Sequence, residues 1–447
     1  MYIKTQVFLI LGVSKSGFAA ADYILSKGAK CYIYEELRTP KILSAVNGLT
    51  ERGAVFVNKE RIDEAFADID VVVISPGVPI NHEIAVKAKN AGKRIIGELE
   101  FGFLCLMPTV VAVTGTNGKT TTVSLIDAVF KRAGEKSELV GNVGIPVSSR
   151  IGNIDHDTVC VAEVSSFQLE SVSAFCPHVA CILNIAPDHL ERHYTMENYI
   201  FLKKRIFKNQ KESEYTVLNF DDETVKSFAS DTKGKVVWVS VKEKVDGAYA
   251  SDGKIYFQDE YIMDADDVKL RGTHNLYDGL FAVACCKLCG IDSATIAKEL
   301  SEFKGVKHRL ELIAEKNGVK YIDDSKSTNT ASAITAIDAF TSPTIMILGG
   351  SEKGEKYDAL FARIKGGFIK QVILTGASRF NMLESAGRNG LTDITLTADF
   401  EHAVIIAAMF AEEGDSVVLS PACASFDAFS DYEERGDVFR KIVESMP

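Results

Sequence analysis

The sequence predicts an α/β protein of three domains, each built on an open, mainly parallel sheet. Three observations lead there. At 447 residues the chain is too long for one ordinary core and suits about three. Short apolar, β-branched runs alternate with helical patterns from end to end, as parallel sheets with crossover helices require. Most of those runs end in small, polar or acidic residues, which is where open parallel sheets present ligand-binding groups.

In chain order, the first segment has strands at "VFLILG", "CYIYE", "VFV" and "VVVISPG". The second has "VVAVTG", "SELVGN", "TVCVAEVSS", "VACILNIAPDH" and "YTVLNFDD". The third has "VKYIDDS", "TIMILGG", "QVILTG" and "SVVLSPA". "IIGELEFGFLCLMPT" and "LSEFKGVKHRLE" read as the bridges between segments. They place the domains at residues 1–97, 98–305 and 306–447.

Composition narrows the function classes. Net charge is −11, and the basic residues are scattered, so a nucleic-acid surface is not expected. The nine cysteines are odd in number and several lie inside apolar runs, which argues against a disulfide framework. The single C-x-x-C pair, Cys286 and Cys289, has no second pair to complete a metal site and reads as buried thiols. No stretch approaches the roughly 20 apolar residues of a membrane span, and the N-terminus lacks a signal-peptide pattern. A cytoplasmic location is expected.

The sharpest local signal is "VAVTGTNGKTTT", residues 111–122. A β-run enters a glycine turn and a helix starts after Lys119. Such a loop aims backbone N–H groups and a helix N-terminus at phosphate, so Gly115, Thr116, Asn117, Gly118, Lys119, Thr120 and Thr121 are expected to hold a nucleotide. Lys119 suits the outer phosphates and the Thr120 hydroxyl suits Mg²⁺. Glu163, at the end of an apolar strand, is either a surface carboxylate or a Mg²⁺ ligand, and the neighbouring phosphate loop favours the ligand. Asp188 and His189 occupy another strand tip. His193 reads as a helix-surface residue, and the His189–His193 spacing lacks the glutamate of a zinc protease. Lys203, in "YIFLKKRIF", reads by composition as surface charge.

In the third segment "IDDSKSTN", "GGSEKG" and "SPACASFDAF" follow strands and together suggest a pocket for a carboxylate ligand. His308 and Arg309 lie at a domain junction, read either as a charged hinge or as nucleotide contacts. In the first segment, Gly12 and Gly17 are spaced wrongly for the dinucleotide fingerprint. A phosphate-bearing ligand still suits Ser14, Lys15 and Ser16, with Glu35 at the next strand tip placed for a ribose hydroxyl.

Taken together, "GTNGKTTT", "EVSSFQLE", "LNIAPDHLERH", "GTHN", "HRLE", "DDSKSTN" and "LSPACASFDAF" resemble the Mur ligase family over nearly the whole chain. The resemblance implies a Rossmann-like N-terminal domain, a P-loop ATPase centre and a Rossmann-like C-terminal domain. It implies an ATP-dependent ligase that adds D-glutamate to UDP-N-acetylmuramoyl-L-alanine through an acyl-phosphate, acting as a monomer. The UDP substrate would meet Ser14, Lys15, Ser16, Glu35, Ser75 and Gly77, with Asn142 near the reaction centre. ATP would also meet Asn275, Asp278, Arg309 and Asp324. Two Mg²⁺ (or Mn²⁺) ions would be held, one by Thr120 and Glu163, the other by His189 and a carbamylated Lys203. Lys119, Lys203, His189 and Glu163 would carry catalysis. D-Glutamate would meet Thr328, Lys353, Ser425 and Tyr432.

Three departures from the family pattern stand out, the mildest being Tyr432 where another aromatic is usual. Asp278 stands where an asparagine usually contacts adenine, and an ionised carboxylate only accepts hydrogen bonds. Ser351 and Glu352 stand where aspartate and glycine are usual, which puts an extra acid beside Lys353. The alternatives are a related ligase with another amino-acid or folate-type substrate, and a nucleotide-binding regulator without catalysis.

Overall fold

The structure is a computed structural model that describes residues 2–446 apart from 156, 271, 341, 353 and 355. It contains three sheets. The first runs in the order β3 (Val55–Phe56), β2 (Cys31–Tyr34), β1 (Phe8–Leu11), β4 (Val71–Ile74), β5 (Arg94–Gly97), all parallel. β1, β2 and β4 are buried along their whole lengths, so their sequences are continuous apolar runs rather than alternating ones.

The second sheet has nine strands: β6 (Thr109–Thr114), β7 (Ser137–Gly141), β8 (Val159–Glu163), β9 (Val179–Ile182), β10 (Tyr215–Asn219), β11 (Lys235–Ser240), β12 (Gly247–Ser251), β13 (Lys254–Phe257) and β14 (Glu260–Asp264). Their spatial order is β14-β13-β12-β11-β10-β9-β6-β8-β7, parallel except for the β12-β13-β14 meander. β6 therefore lies between β8 and β9, so the turns that follow these three strands are neighbours. The third sheet runs β15 (Glu311–Lys316), β16 (Val319–Asp323), β20 (Ser416–Leu419), β17 (Thr344–Gly349), β18 (Ile369–Thr375), β19 (Ile394–Leu396), with only β15 antiparallel.

The predicted class, α/β with mainly parallel sheets, is the observed one, and every expected strand is present. Several strands are additional. β5 lies inside the stretch read as a bridge and leads directly into helix Glu98–Leu106. β11 to β15 and β19 were not anticipated either. The meander is short, turns at Asp252–Gly253, and alternates apolar with exposed polar residues, so it lacks the apolar runs that mark buried parallel strands.

The chain divides into two compact units. One comprises Met1–Lys269 and Asn275–Phe303, and the other Leu270–His274 and Lys304–Pro447. The first holds the first two sheets. Its largest core packs Val111, Val113 and Val129 against Phe281, Val283 and Cys285 of helix Thr273–Leu288. The second unit packs helices on both faces of the third sheet, with Met346 and Leu348 inside one core and Ile345 and Ile347 inside the other. All nine cysteines are free thiols, Cys286 buried and Cys289 partly so. Among the described residues no helix is long and apolar enough to cross a membrane.

Candidate active site

The phosphate loop joins β6 to helix Lys119–Arg132. Gly118 is left-handed at φ 84°, and a side chain there would run into the Asp278 carboxylate, so the position needs glycine twice over. The turn is closed by Asn184. Its Oδ1 accepts from the amides of Thr116 (3.1 Å) and Asn117 (2.9 Å), and its Nδ2 donates to Asn117 O (3.1 Å). The first-turn amides of the helix have no intrahelical acceptor and form the positive end of its dipole. Lys119 Nζ turns back onto Gly115 O (2.9 Å) and Thr116 O (2.7 Å).

Around this loop stand most of the expected groups. Thr120 Oγ1 donates to Glu163 Oε2 at 2.6 Å, and Asn142 Nδ2 donates to Glu163 Oε1 at 2.7 Å. Glu163 is buried at the tip of β8, so it is no surface carboxylate. Asp278 accepts from Thr122 Oγ1 at 3.2 Å, and Asn275 lies one turn earlier on the same helix.

Lys203 is only 2% exposed, which overturns its reading as surface charge. Its Nζ donates to Gly115 O (2.7 Å) and Thr114 Oγ1 (3.4 Å) and sits 4.7 Å from the Tyr199 ring centroid. Burial, then the nearby Lys119 charge, pushes its amine well below the usual lysine range. Two lysines thus share one carbonyl oxygen. His189 follows β9 in a left-handed conformation (φ 53°), with its amide bonded to Asp188 Oδ1 (3.0 Å) and its ring 4.7 Å from the Phe167 ring. His193, expected on a helix surface, is buried; its Nε2 lies 2.9 Å from Ser166 Oγ.

This donor set fits a hard divalent cation at Thr120 and Glu163, whose oxygens converge beside the phosphate turn. Lys203 fits such an ion only once its nitrogen carries a carboxylate, because an ammonium would be repelled. Among the described residues, the cluster His308, Glu311 and Asp323 also has ligand atoms within 4.8 Å of one another. Its groups are spent locally: His308 Nδ1 lies 2.7 Å from Asp323 Oδ2, and Glu311 takes His308 N (3.0 Å) and Arg440 (2.7 Å).

In the first sheet, Ser14, Lys15 and Ser16 lie at the start of helix Lys15–Ser26. Ser75 Oγ donates to Gly12 O (2.7 Å), tying the 75–79 turn to the glycine loop. Gly77 is exposed on that turn. Glu35 is buried, and its two oxygens accept from the amides of Val13 (2.7 Å) and Leu37 (2.9 Å). It therefore braces the loop that Ser14 to Ser16 occupy.

In the second unit, β16, β20 and β17 are adjacent, so the tips carrying Thr328, Ser425 and residues 349–352 are neighbours. Asp324 is fully buried. Its Oδ2 accepts from Ser327 (2.5 Å) and Ser420 (2.7 Å), and its Oδ1 from Leu310 N (3.2 Å), one residue past Arg309. Burial raises its carboxyl to about 6, against an opposing effect of the Arg309 charge. Tyr432 Oη accepts from Lys326 Nζ at 3.0 Å. Ser351 pairs with Asp427 (2.8 Å to its amide). Both oxygens of Glu352 are engaged, by Asn381 (2.7 Å) and Gly354 N (2.9 Å). Lys353 lies outside the described residues.

Four residues of the site escaped sequence reading. Asn184 could have been found, as an asparagine closing an apolar strand. Lys326 was inside a quoted motif. Arg192 lies inside the quoted motif "LNIAPDHLERH" but was not singled out, and Arg435 reads as an ordinary charge on a helix.

Comparison with known proteins gives a consistent result. Residues 6–97 match the MurD-like N-terminal domain of Mur ligases, 113–286 the Mur ligase middle domain, and 308–423 the glutamate ligase domain. The chain is 40% identical to UDP-N-acetylmuramoylalanine–D-glutamate ligase of Thermoanaerobacter sp. (strain X514), with both chains fully covered. It is also 40% identical to the enzyme of that name from Clostridioides difficile (strain 630), again over both full lengths. In fold it is similar to the Thermotoga maritima MurF ligase solved with ADP, with a TM-score of 0.63, 19% identity and 99% of each chain covered.

Proposed function

The chain belongs to the Mur ligase family, and from that premise we propose that it joins D-glutamate to UDP-N-acetylmuramoyl-L-alanine with ATP, releasing ADP and phosphate, in cytoplasmic peptidoglycan precursor synthesis. Residues 1–97 take the uridine substrate, 98–305 take ATP, and 306–447 take D-glutamate. The observation that carries the reading is the charge arrangement at one turn. Lys119 and Lys203 both face Gly115 O, and Thr120 is bonded to Glu163 immediately beside them.

The reaction brings two anions together, a muramoyl-alanine carboxylate and the γ-phosphate. Lys119 and the first-turn amides bind and orient the triphosphate. Asn142 and Glu163 set the position of the Thr120 hydroxyl at its edge. Divalent cations, one at Thr120 and Glu163 and one at His189 with a carbamylated Lys203, would neutralise the remaining repulsion. Carboxylate attack on the γ-phosphorus yields an acyl-phosphate and ADP. The amine of D-glutamate, held by Thr328, Lys353, Ser425 and Tyr432, then attacks the acyl carbon and expels phosphate. Support for the modified Lys203 is its burial: desolvation favours the neutral amine, the form that reacts with CO₂.

The test is ADP release with UDP-N-acetylmuramoyl-L-alanine plus D-glutamate, L-lysine or L-glutamate in turn. Release with D-glutamate alone is expected. Release with another amino acid, or with none, would refute the assignment.

A further inference from the structure

Arg192 makes a set of contacts that the reaction scheme above does not use. Its Nε and Nη2 donate to the two oxygens of Glu170 (2.9 and 2.6 Å), so the charge is neutralised in place. Its Nη1 donates to the carbonyls of Pro76 (2.9 Å) and Gly77 (3.4 Å), and Nη2 also donates to Val78 O (3.2 Å). The guanidinium carbon lies 4.2 Å from the Phe167 ring centroid. The side chain is 12% exposed and that of Glu170 8%. Every edge of the fork is therefore committed, a geometry that lysine, a point charge on a flexible stem, does not reproduce.

What the fork joins matters more than its strength. The three carbonyls belong to the turn after β4, which Ser75 in turn bonds to the glycine loop after β1. Arg192 itself sits three residues past His189, and Phe167 touches both residues. One continuous path thus runs from the glycine loop through the 75–79 turn and Arg192 to the His189 turn, all within one compact unit. Bonds to three successive carbonyls fix the path of that turn as well as its distance from Arg192.

We propose that Arg192 is a positioning residue that holds the 75–79 turn of the first sheet in register with the His189 turn of the second. A nucleoside-diphosphate-linked substrate anchored on the first sheet would then present its carboxylate at the phosphate loop. This rests on the reading of the first sheet as the uridine-substrate site.

The experiment uses the full chain and two variants, Arg192→Lys and Glu170→Gln. It measures UDP binding and ADP binding by calorimetry, and the KM of each substrate with kcat. For Arg192→Lys we expect KM for the uridine substrate to rise, and kcat to fall, each by about tenfold or more, as for any small misplacement of reacting groups. ADP affinity and KM for D-glutamate should stay within about twofold, which is below the ~1.4 kcal/mol that a tenfold change represents. Glu170→Gln keeps an acceptor and should show a smaller change in the same direction. Wild-type constants in Arg192→Lys, or an equal rise for all three substrates, would overturn the inference alone. Failure of the wild type to bind UDP or use the uridine substrate would overturn it together with the reading on which it rests.

Discussion

At the scale of single residues, burial decides chemistry more than residue type does. Lys203 and Lys204 are adjacent, yet Lys203 is buried against Gly115 O while Lys204 pairs with Asp231 at the surface. If Lys203 works as a carbamate, Lys203→Ala should reduce turnover by about 100-fold or more, the scale of losing a positioned electrostatic group. Short carboxylates should restore part of it, and an assay without rescue would count against the carbamate. Asp324 offers a pH test. Its carboxyl is at about 6 when folded against 3.8 ordinarily, so between those values the native state binds the extra proton. Its contribution to stability is therefore greatest below that window, falls as pH rises through it, and is flat above. Asp324→Asn removes that titration, so the wild-type minus variant difference in urea midpoint should decline from pH 4 to about 6 and then level. Asp278 offers a third. An ionised carboxylate serves only the donor on adenine's N6/N7 edge, whereas an amide serves both partners. Asp278→Asn should lower KM for ATP by about fivefold, the value of roughly 1 kcal/mol for the restored bond. The phosphate loop and Glu163 were legible because glycine spacing and strand-end acidity are local signals. The burial of Lys203 and His193 was not, since it depends on which face of a short helix meets a distant turn.

At the scale of elements, most of the parallel strands were legible because they are largely buried and read as apolar runs. Those that escaped were β5, hidden next to a helix start, β11, β15 and β19, which are only partly buried, and the β12-β13-β14 meander, whose edges carry Lys254, Glu260 and Asp264. Helix Tyr432–Ser445 shows how an element can hold a site through a side chain that touches no ligand. Its Arg435 is 2% exposed and, among the described residues, has no carboxylate within ion-pair distance. It donates instead to Ser325 Oγ (2.9 Å), Ser325 O (2.8 Å), Cys423 O (3.1 Å) and Ala424 O (3.3 Å). Burial lowers the guanidinium to about 10, still cationic at neutral pH. The helix thereby fastens the turn after β16 to the turn after β20, the pair that carries Thr328 and Ser425. Arg435→Lys should leave buried carbonyls without partners and cost about 2–3 kcal/mol in urea unfolding. It should also raise KM for D-glutamate while leaving ADP affinity unchanged. Equal stability and an unchanged KM would show that the two turns hold themselves.

At the scale of the whole molecule, the chain folds as two units with separate cores, and the phosphate-loop groups all lie in the first. The bonds of Lys119 and Lys203 to Gly115, of Thr120 to Glu163 and of Thr122 to Asp278 are all made within that unit. Unfolding should then depart from a single two-state transition, as chains with more than one core commonly do. Because unfolding enthalpy scales with residue count, calorimetry should resolve two components in a ratio of roughly two to one. A ligand that binds one folded unit stabilises that unit by mass action, about 2.7 kcal/mol at a hundredfold excess over Kd. ADP with Mg²⁺ should therefore raise the larger transition by a few degrees, and by more than the smaller one. Lys119→Ala should abolish that shift while both transitions keep their positions without ligand, since the bonds to Gly115 O and Thr116 O that it removes lie within one loop. The same variant should lose turnover. A single transition that ADP moves as a whole would mean that the two units unfold together, and an ADP shift that survives Lys119→Ala would remove this lysine from nucleotide binding.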